Sequence, residues 1–195
     1  MITAIVLSAG ESRRMGTSKA LLRLGEKTFV RHIVDLYASS DVDHIVVVTA
    51  PQATEIEREL GGSRATIVVN RQYRDGQLTS IVAGIEVAQA LGSDAALVHP
   101  VDHPLVSTKL INSLVAAYHP PEHLVVIPVF EGKRGHPALF SSRLFDELRN
   151  APRDVGARAV IRANQQYVVE VPTLEHGTIV DIDTPEDYEH LQRNL

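Results

Sequence analysis

Short runs of apolar residues recur along the chain, and more polar segments with helical periodicity lie between them. Most of the runs are continuous rather than alternating, and they are rich in valine and isoleucine. Such runs are typical of strands that are buried on both faces of a parallel sheet. The pattern predicts strands at residues 3–7, 44–49, 65–69, 95–98, 124–130 and 167–171.

The segments between these runs carry apolar residues at the spacing of an amphipathic helix. Phe29, Ile33, Leu36 and Tyr37, for example, fall on one stripe. The predicted helices are residues 25–40, 52–60, 78–91, 107–118, 141–149, 155–163 and 185–195, with a polar turn at residues 131–137. Alternating strands and helices favour an α/β fold, in which a mainly parallel sheet is covered by helices on both faces. A chain of 195 residues suits one domain, which we expect to span residues 1–195.

The first predicted strand leads into a loop with two glycines and three basic residues. They are Gly10, Arg13, Arg14, Gly16 and Lys19. Glycine lets the backbone turn so that N–H groups of residues 9–16 face one centre, and the cations add positive charge where phosphates would lie. The spacing fits neither a P-loop nor the Gly-x-Gly-x-x-Gly dinucleotide fingerprint. Polyphosphate binding is the functional interpretation, and a basic surface turn is the alternative.

The overall composition restricts the classes of function. The net charge of −5 gives no general attraction to nucleic acid, so anion binding must be local. The sequence has no cysteine, which excludes disulfides, thiolate metal sites and cysteine nucleophiles. No apolar run approaches the roughly 18 residues that span a bilayer, and residues 2–7 are too few for a signal peptide. We therefore expect a cytoplasmic enzyme that binds neither nucleic acid nor membrane.

Asp102 follows the predicted strand at residues 95–98 and stands between two prolines. In open α/β sheets, ligands bind at the carboxyl ends of the strands. A carboxylate at that edge is suited to bind Mg²⁺ together with substrate phosphates. The alternative is that Asp102 caps the helix that begins near Ser107. His99 and His103 flank Asp102 and suggest zinc as a minor alternative, but the prolines break the register that would align all three side chains.

A second acidic pair, Asp181 and Asp183, comes directly before the last predicted helix. In an extended segment both carboxylates share one face, while Ile182 points to the core. Capping of the helix by Asp183 or Thr184 is a strong alternative, although capping alone would not need Asp181. Asp102 and Asp183 are far apart in sequence, but the fold could bring them to one cation.

These motifs together resemble the MobA/MocA-type nucleotidyltransferases, which have a Rossmann-like three-layer α/β/α fold, similar to that of nucleotide-diphospho-sugar transferases. The resemblance spans the whole chain. Asp102 corresponds to the magnesium aspartate of that family, which a proline follows one residue later, and Asp183 to the acidic or amide position before the last helix. The family's nucleotide-binding loop is similar to the segment that contains Leu7, Ser8, Ala9, Gly10, Ser12, Arg14, Met15, Gly16 and Lys19. The resemblance implies that Arg14, Lys19 and Asp102 are catalytic and that Asp102 and Asp183 bind the metal.

Within this family, the chain looks most like the branch typified by molybdenum cofactor cytidylyltransferase. The similar stretches are residues 76–84, 132–137 and 154–158. The resemblance implies further nucleotide contacts from Asn70, Gly76 and Ser80, and acceptor contacts from His136 and Arg158.

Two positions depart from that branch. Ser8 replaces the usual alanine, and His103 stands where methionine or glutamine is usual and adds a titratable group beside the metal.

The corner after the first strand also bears on the choice of base, because members that transfer guanylyl groups resemble one another in having two glycines there. The Cβ of Ala9 narrows this corner and favours the one-ring base of CTP over that of GTP.

The resemblance implies an Mg²⁺-dependent reaction that joins CMP from CTP to a phosphorylated, pterin-type acceptor, the molybdenum cofactor, and releases pyrophosphate. A molybdoenzyme or its chaperone is the protein partner that it suggests. The alternatives are transfer to a sugar phosphate or a phospholactate-like acid, and a nucleotide-binding or cofactor-binding module without turnover. A glycosyltransferase fits less well, because residues 181–183 come too late in the chain for the Asp-x-Asp metal motif of those enzymes.

Overall fold

An eight-stranded sheet forms the centre of the computed structural model, which describes residues 1–12 and 14–194. Arg13, one of the three basic residues of the first loop, lies outside the described residues. The strands are β1 Ile2–Leu7, β2 Arg23–Leu24, β3 Lys27–Thr28, β4 His44–Thr49, β5 Thr66–Val69, β6 Ala95–Pro100, β7 Val125–Phe130, β8 Lys133–Arg134, β9 Ala138–Ser141 and β10 Val168–Pro172. The helices are α1 Phe29–Ala38, α2 Thr54–Glu59, α3 Gln77–Ala90, α4 Thr108–Ala116, α5 Phe145–Arg149, α6 Ala157–Ala163 and α7 Pro185–Arg193.

The strand order in the sheet is β10-β7-β9-β6-β1-β4-β5, with β8 paired to β7, and β2 and β3 form a separate hairpin. β1 is parallel to β4 and β6, β4 to β5, and β7 to β10, whereas β9 is antiparallel to both β6 and β7. The chain therefore runs outward from β1 through β4 to β5, and then returns to place β6 on the other side of β1. This reversal creates a crevice at the carboxyl ends of β1 and β6, where α/β proteins bind their ligands.

Two hydrophobic cores, one on each face of the sheet, follow from the alternation of side chains along the strands. On β1, Ala4 and Val6 pack into the core formed with α1, α4 and α7, while Ile5 and Leu7 pack into the core formed with α3, α5 and α6. Gly84 of α3 lets the helix approach β1, since a Cβ there would lie 2.3 Å from Cγ2 of Ile5. The three-layer α/β/α architecture expected from the sequence is confirmed.

The structure corrects several local predictions. The predicted polar turn at residues 131–137 contains the short strand β8, and the segment directly after it forms β9; the pattern predicted neither strand. The first helix begins at Phe29 rather than at residue 25, because the β2–β3 hairpin occupies the preceding residues and the Thr28 side chain accepts the capping hydrogen bond from the amide of Arg31. The predicted helix at residues 141–149 begins as a strand end, passes through a 3₁₀ turn and becomes α-helical only at Phe145. Among the described residues, no helix is long and apolar enough to cross a membrane.

Candidate active site

The loop that follows β1 lies at the crevice, because Leu7 is paired in register with Pro100 at the end of β6. Ser8 leaves the strand with its amide and its hydroxyl both donating to the carbonyl of Val48, each at 2.9 Å. Ser8 and Ala9 are buried, with 6% and 3% of their surface exposed, so the corner of the loop is packed against the sheet. The departure from alanine at position 8 thus adds a hydrogen bond to β4.

Ser12 organises the rest of this loop. Its carbonyl accepts hydrogen bonds from the amides of Met15 and Gly16, at 3.0 and 3.1 Å. Its hydroxyl accepts from the amide of Lys19 at 3.0 Å. The tight turn requires positive φ angles of 48° at Ser12 and 68° at Gly16, and glycine adopts the second without strain. The amides of Met15 and Gly16 therefore close the loop. Apart from its two chain neighbours, no described residue has an atom within 4 Å of the position that a Cβ on Gly10 would take.

The Lys19 ammonium joins the two acidic motifs. Lys19 Nζ donates to Asp102 Oδ2 at 2.9 Å and also to Asp183 Oδ1. Asp183 Oδ2 accepts a further hydrogen bond from the Arg14 guanidinium. The Lys19 side chain is only 13% exposed, whereas that of Arg14 is 69% exposed. Four residues of the predicted site, from three distant parts of the sequence, therefore meet at one point.

Neither carboxylate caps a helix, which removes the structural alternative for both. The hydroxyl of Ser107 caps α4 by accepting from the amide of Leu110 at 3.1 Å. A reciprocal capping box between Thr184 and Asp187 closes the start of α7. Since other side chains satisfy these helix ends, the carboxylates of Asp102 and Asp183 are directed to the cations of the crevice.

The backbone holds these two carboxylates at a fixed separation. The amide of Ile182 donates to the carbonyl of Asp102 at 2.9 Å, and the Ile182 side chain is 2% exposed. Ile182 thus points to the core, as the alternation predicted, and ties the acidic segment to the end of β6. The hydrogen bond to Lys19 is the main reason that the pKa of Asp183 lies below its usual value. For Lys19, burial lowers the pKa, but the hydrogen bonds to Asp102 and Asp183 outweigh this effect and hold the pKa above its usual value.

His99 is not available as a zinc ligand. Its Nε2 donates to the carbonyl of His103 at 2.9 Å, which fixes the tautomer, and its Nδ1 accepts from the Tyr37 hydroxyl at 3.0 Å. Complete burial lowers the pKa of His99 to about 3, so the ring is neutral at pH 7. His99 therefore positions the turn that carries Asp102 and His103, and the zinc alternative loses one of its three ligands. No group of three or more histidine, aspartate or glutamate side chains among the described residues is arranged to hold a metal.

The predicted nucleotide residues Asn70 and Ser80 lie at the carboxyl end of β5 and the start of α3. Asn70 Nδ2 donates to the hydroxyls of Thr79 and Ser80, at 2.8 and 3.0 Å, and Asn70 Oδ1 accepts from the amide of Gln72 at 2.8 Å. Gly76, with a φ of 107°, begins the helix. These contacts fix the shape of the segment beside the crevice.

A cleft of about 440 Å³ opens above the first loop and contains residues that the sequence analysis missed. Its walls include Arg14 and Lys19 together with Glu11, Tyr73 and Arg74. Arg74 Nε donates to Glu11 Oε1 at 2.9 Å and so links the loops that follow β1 and β5. The signal in the sequence was a basic and aromatic segment directly after a predicted strand, which is where ligand contacts are expected.

A second cavity, of about 310 Å³, lies on the other side of Pro100. His136 and Arg158, the predicted acceptor residues, both line it, and so do Arg153 and Asp154. An adjoining cavity of about 270 Å³ shares His136 and Arg158 and adds two more arginines, at positions 134 and 162. Of the predicted nucleotide residues, Ser12, Arg14 and Lys19 line the cleft above the first loop, whereas both predicted acceptor residues line these two cavities.

Comparison with known proteins gives the family of the chain. Residues 4–169 match the MobA-like NTP transferase domain. The chain belongs to this family. It is therefore a nucleotidyltransferase, with a nucleoside triphosphate as one substrate, and the family expected from the motifs is confirmed.

Three curated relatives cover nearly the whole chain. The purine catabolism protein PucB of Bacillus subtilis is 30% identical and covers 100% of this chain and 97% of its own. The molybdenum cofactor cytidylyltransferase of Escherichia coli is 28% identical, covering 96% and 93%. The probable molybdenum cofactor guanylyltransferase of Bacillus mycoides is also 28% identical, covering 98% and 96%. The names of the last two relatives give different bases, so the family alone does not fix the nucleotide.

Solved structures support the fold. A nucleotidyl transferase from Methanothermobacter thermautotroptrophicus superposes with a TM-score of 0.84 at 23% identity, covering 100% of this chain and 99% of the other. A Mycobacterium tuberculosis protein solved in complex with manganese superposes with a TM-score of 0.76 at 21% identity, covering 98% and 97%. The predicted nucleotidyltransferase fold is confirmed.

Proposed function

We propose that the protein is an Mg²⁺-dependent cytidylyltransferase that joins CMP from CTP to the phosphate of a pterin-type acceptor, molybdopterin or the molybdenum cofactor, and releases pyrophosphate. The observation that carries the proposal is the meeting of Lys19, Asp102 and Asp183 at the carboxyl ends of β1 and β6. A lysine for phosphates and two carboxylates for a cation are the groups that nucleotidyl transfer needs.

The two carboxylates fit a divalent cation. One ammonium, that of Lys19, is within hydrogen-bonding reach of both Asp102 and Asp183, so oxygens of both side chains already converge on a single positive charge. Mg²⁺ is commonly bound through one or two carboxylates together with substrate phosphates, which matches this donor set. When bound there, the ion would neutralise charge on the triphosphate. The manganese complex of the structurally similar mycobacterial protein is consistent with a divalent cation in this fold.

The reaction itself needs little proton chemistry from the chain. An oxygen of the acceptor phosphate attacks the α-phosphorus of CTP, the bond from that phosphorus to the β-phosphate oxygen breaks, and pyrophosphate leaves with the electron pair. A phosphate monoester has a second pKa near 6 and is largely ionised at neutral pH, so no protein base is required. Lys19 and Arg14 hold the triphosphate, and the loop fixed by Ser12 orients it.

The loop corner supports CTP as the nucleotide. Ala9 is 3% exposed, so its side chain is packed beside the end of β1. A side chain at this corner leaves less room beside the backbone than glycine would, which suits the one-ring base of CTP better than the two-ring base of GTP.

The acceptor is proposed to enter from the cavities lined by His136 and Arg158. The first cavity combines apolar walls, from Leu78, Ile81 and Phe140, with arginine side chains. Flat apolar walls suit a fused ring such as a pterin, and arginine suits the phosphate that the ring carries.

The test is pyrophosphate release from CTP, GTP and ATP, each with Mg²⁺ and molybdopterin. We expect turnover with CTP, a lower rate with GTP, and loss of activity with EDTA that added Mg²⁺ restores. Competition binding of the unlabelled nucleotides checks the base independently of the acceptor. Tighter binding of GTP than of CTP would refute the cytidylyl assignment, and turnover only with a sugar phosphate would refute the pterin acceptor. Binding of CTP without turnover on any acceptor would favour a module that binds without catalysis.

A further inference from the structure

Two histidine rings lie against each other between the cation site and the acceptor cavities. His103 follows Asp102 at the end of β6, and His136 lies in the turn between β8 and β9. Their ring centroids are 4.7 Å apart, with the planes tilted by 54°. Nδ1 of each ring is buried and has no hydrogen-bond partner within the described part of the chain. Buried polar atoms normally have partners, so a pair without them at a reaction site calls for a functional reason.

The backbone of both residues is held firmly, although neither ring is used to hold it. The carbonyl of His103 accepts from His99 Nε2 at 2.9 Å, and the amide of His136 donates to the carbonyl of Thr178 at 2.8 Å. Gly135 permits the second contact, since a Cβ there would lie 2.5 Å from that same carbonyl oxygen. The backbone thus holds both residues in place, and the buried Nδ1 of each ring has no partner within the described residues, as expected of a site prepared for a ligand.

The charged groups around the pair show which ligand would meet it. His103 faces Asp102, Asp181, Asp183 and Lys19. The charged side chains that act on His136 are Asp102 and Arg158. His136 also lines both acceptor cavities, so the pair lies where a group carried by the acceptor would come next to the cation and the triphosphate.

We propose that His103 and His136 together hold the attacking phosphate of the acceptor through N–H groups of their two rings. The inference rests on the proposed function and adds His103 to the acceptor site. Arg158 would supply charge attraction from the outer side of that phosphate.

A neutral donor suits the attacking oxygen better than a cation. Burial lowers the pKa of His136 to about 4, so its ring is uncharged at pH 7 and carries one N–H. A neutral N–H orients a phosphate oxygen without compensating its negative charge, and the lone pair that forms the new bond to the α-phosphorus stays nucleophilic. The pyrophosphate leaves with the electrons of the broken bond, and no proton passes to either ring. Interactions that stabilise the ground-state anion strongly would slow the same step.

The kinetic test separates the acceptor from the nucleotide. The variants are His103→Leu, His103→Gln and His136→Gln, with His119→Gln as a matched control. His119 is exposed and lies against His123 with a similar ring tilt of 56°, on a surface far from the crevice. We expect kcat/KM for molybdopterin to fall about tenfold to a hundredfold in His103→Leu, and less in His103→Gln and His136→Gln, whose amides keep a donor. KM for CTP should stay within about twofold in all of them.

A binding measurement keeps the inference testable without any turnover. Protein labelled with ¹⁵N at histidine is loaded with Mg²⁺ and a non-transferable CTP analogue and titrated with inorganic phosphate. We expect the ring nitrogen resonances of His103 and His136 to shift with saturation, while those of His99 and His119 stay in place. Inactivity with molybdopterin but a shift of both rings would refute only the acceptor in the proposed function. Unmoved rings, or equal losses for CTP and for the acceptor in His103→Gln, would overturn the role of the pair.

Discussion

Replacing Asp102 with asparagine tests the cation site with the least disturbance of the fold. The side chain keeps its shape, and the amide oxygen can still accept the hydrogen bond that Lys19 Nζ now donates at 2.9 Å. Two unit charges about 4 Å apart attract by about 4 kcal/mol at an effective dielectric constant of 20. Much of this is offset here, because Asp102 is 25% exposed and Lys19 keeps its contact with Asp183. We expect the free energy of unfolding to change by no more than about 1 kcal/mol.

The expected loss of activity is much larger than the loss of stability. The asparagine removes one of the two negative charges that would bind the cation, and with it a preorganised contact to the reacting phosphates. Losing one such contact costs about 3–4 kcal/mol in the transition state, which is roughly a 10²-fold to 10³-fold fall in kcat. Affinity for Mg²⁺ in the presence of CTP should fall with it.

Three measurements on Asp102→Asn decide between these effects: pyrophosphate release, Mg²⁺ titration and urea unfolding. Asp41→Asn is the matched control, because this exposed aspartate lies in the turn after α1 and makes no ion pair among the described residues. The control should keep nearly full activity. If Asp102→Asn also kept most of its activity, the cation site would have to be elsewhere. If it unfolded at much lower urea, the carboxylate would be structural and the reasoning above would be refuted.

Three further predictions concern charge, pH and packing. Lys19→Met should lower kcat/KM for CTP by an amount equivalent to about 2–4 kcal/mol of transition-state stabilisation. Arg14→Ala should lower it by less, because the Arg14 side chain is 69% exposed and its charge is better screened. Steady-state kinetics with CTP as the varied substrate would check this ranking, and equal effects would contradict it. Burial lowers the pKa of His99 from 6.5 to about 3, so between these pH values the unfolded chain binds a proton that the folded chain does not. The free energy of unfolding should therefore fall by about 1.4 kcal/mol for each pH unit below 6.5, and urea unfolding at pH 7 and pH 5 should show a weaker pH dependence in His99→Gln. Gly177→Ala should destabilise the protein by about 1–3 kcal/mol or more, since the new Cβ would lie 1.9 Å from the carbonyl oxygen of Leu105. A thermal melt that matched that of the wild-type protein would show that this contact relaxes freely.

The site could be predicted from the sequence because parallel strands bring their carboxyl ends to one edge. The loop after β1 and the turn after β6 were both recognisable as strand ends with polar residues, and the structure places those strands side by side. Asp183 was harder to place, because the same residues also read as a helix cap. The structure resolves this through Thr184 and Asp187, whose side chains close the helix and leave Asp183 for the cations.

The antiparallel strand β9 could not be predicted from the local pattern of apolar residues, and the reason is physical. Its four residues, Ala138–Ser141, are buried between β6 and β7 and show neither polar alternation nor the length that marks a central strand. They also run directly into a 3₁₀ turn, so the local signal is that of a helix start. Only pairing with both neighbours decides the strand, and that information is not local. The contact between His103 and His136 also depends on non-local pairing, because β9 and the turn before it bring the two residues together at the sheet edge.

Lysine at position 19 suits this site better than arginine would. Its ammonium has three N–H donors on a flexible stem, and two of them are used by Asp102 and Asp183. The third N–H can point to a phosphate oxygen. One side chain can therefore pair with both carboxylates and still contact the triphosphate. A guanidinium would instead pair with one carboxylate through two parallel hydrogen bonds and would be held in that plane. If the proposed divalent cation bound to the two carboxylates, the flexible ammonium could turn to the phosphates of the nucleotide.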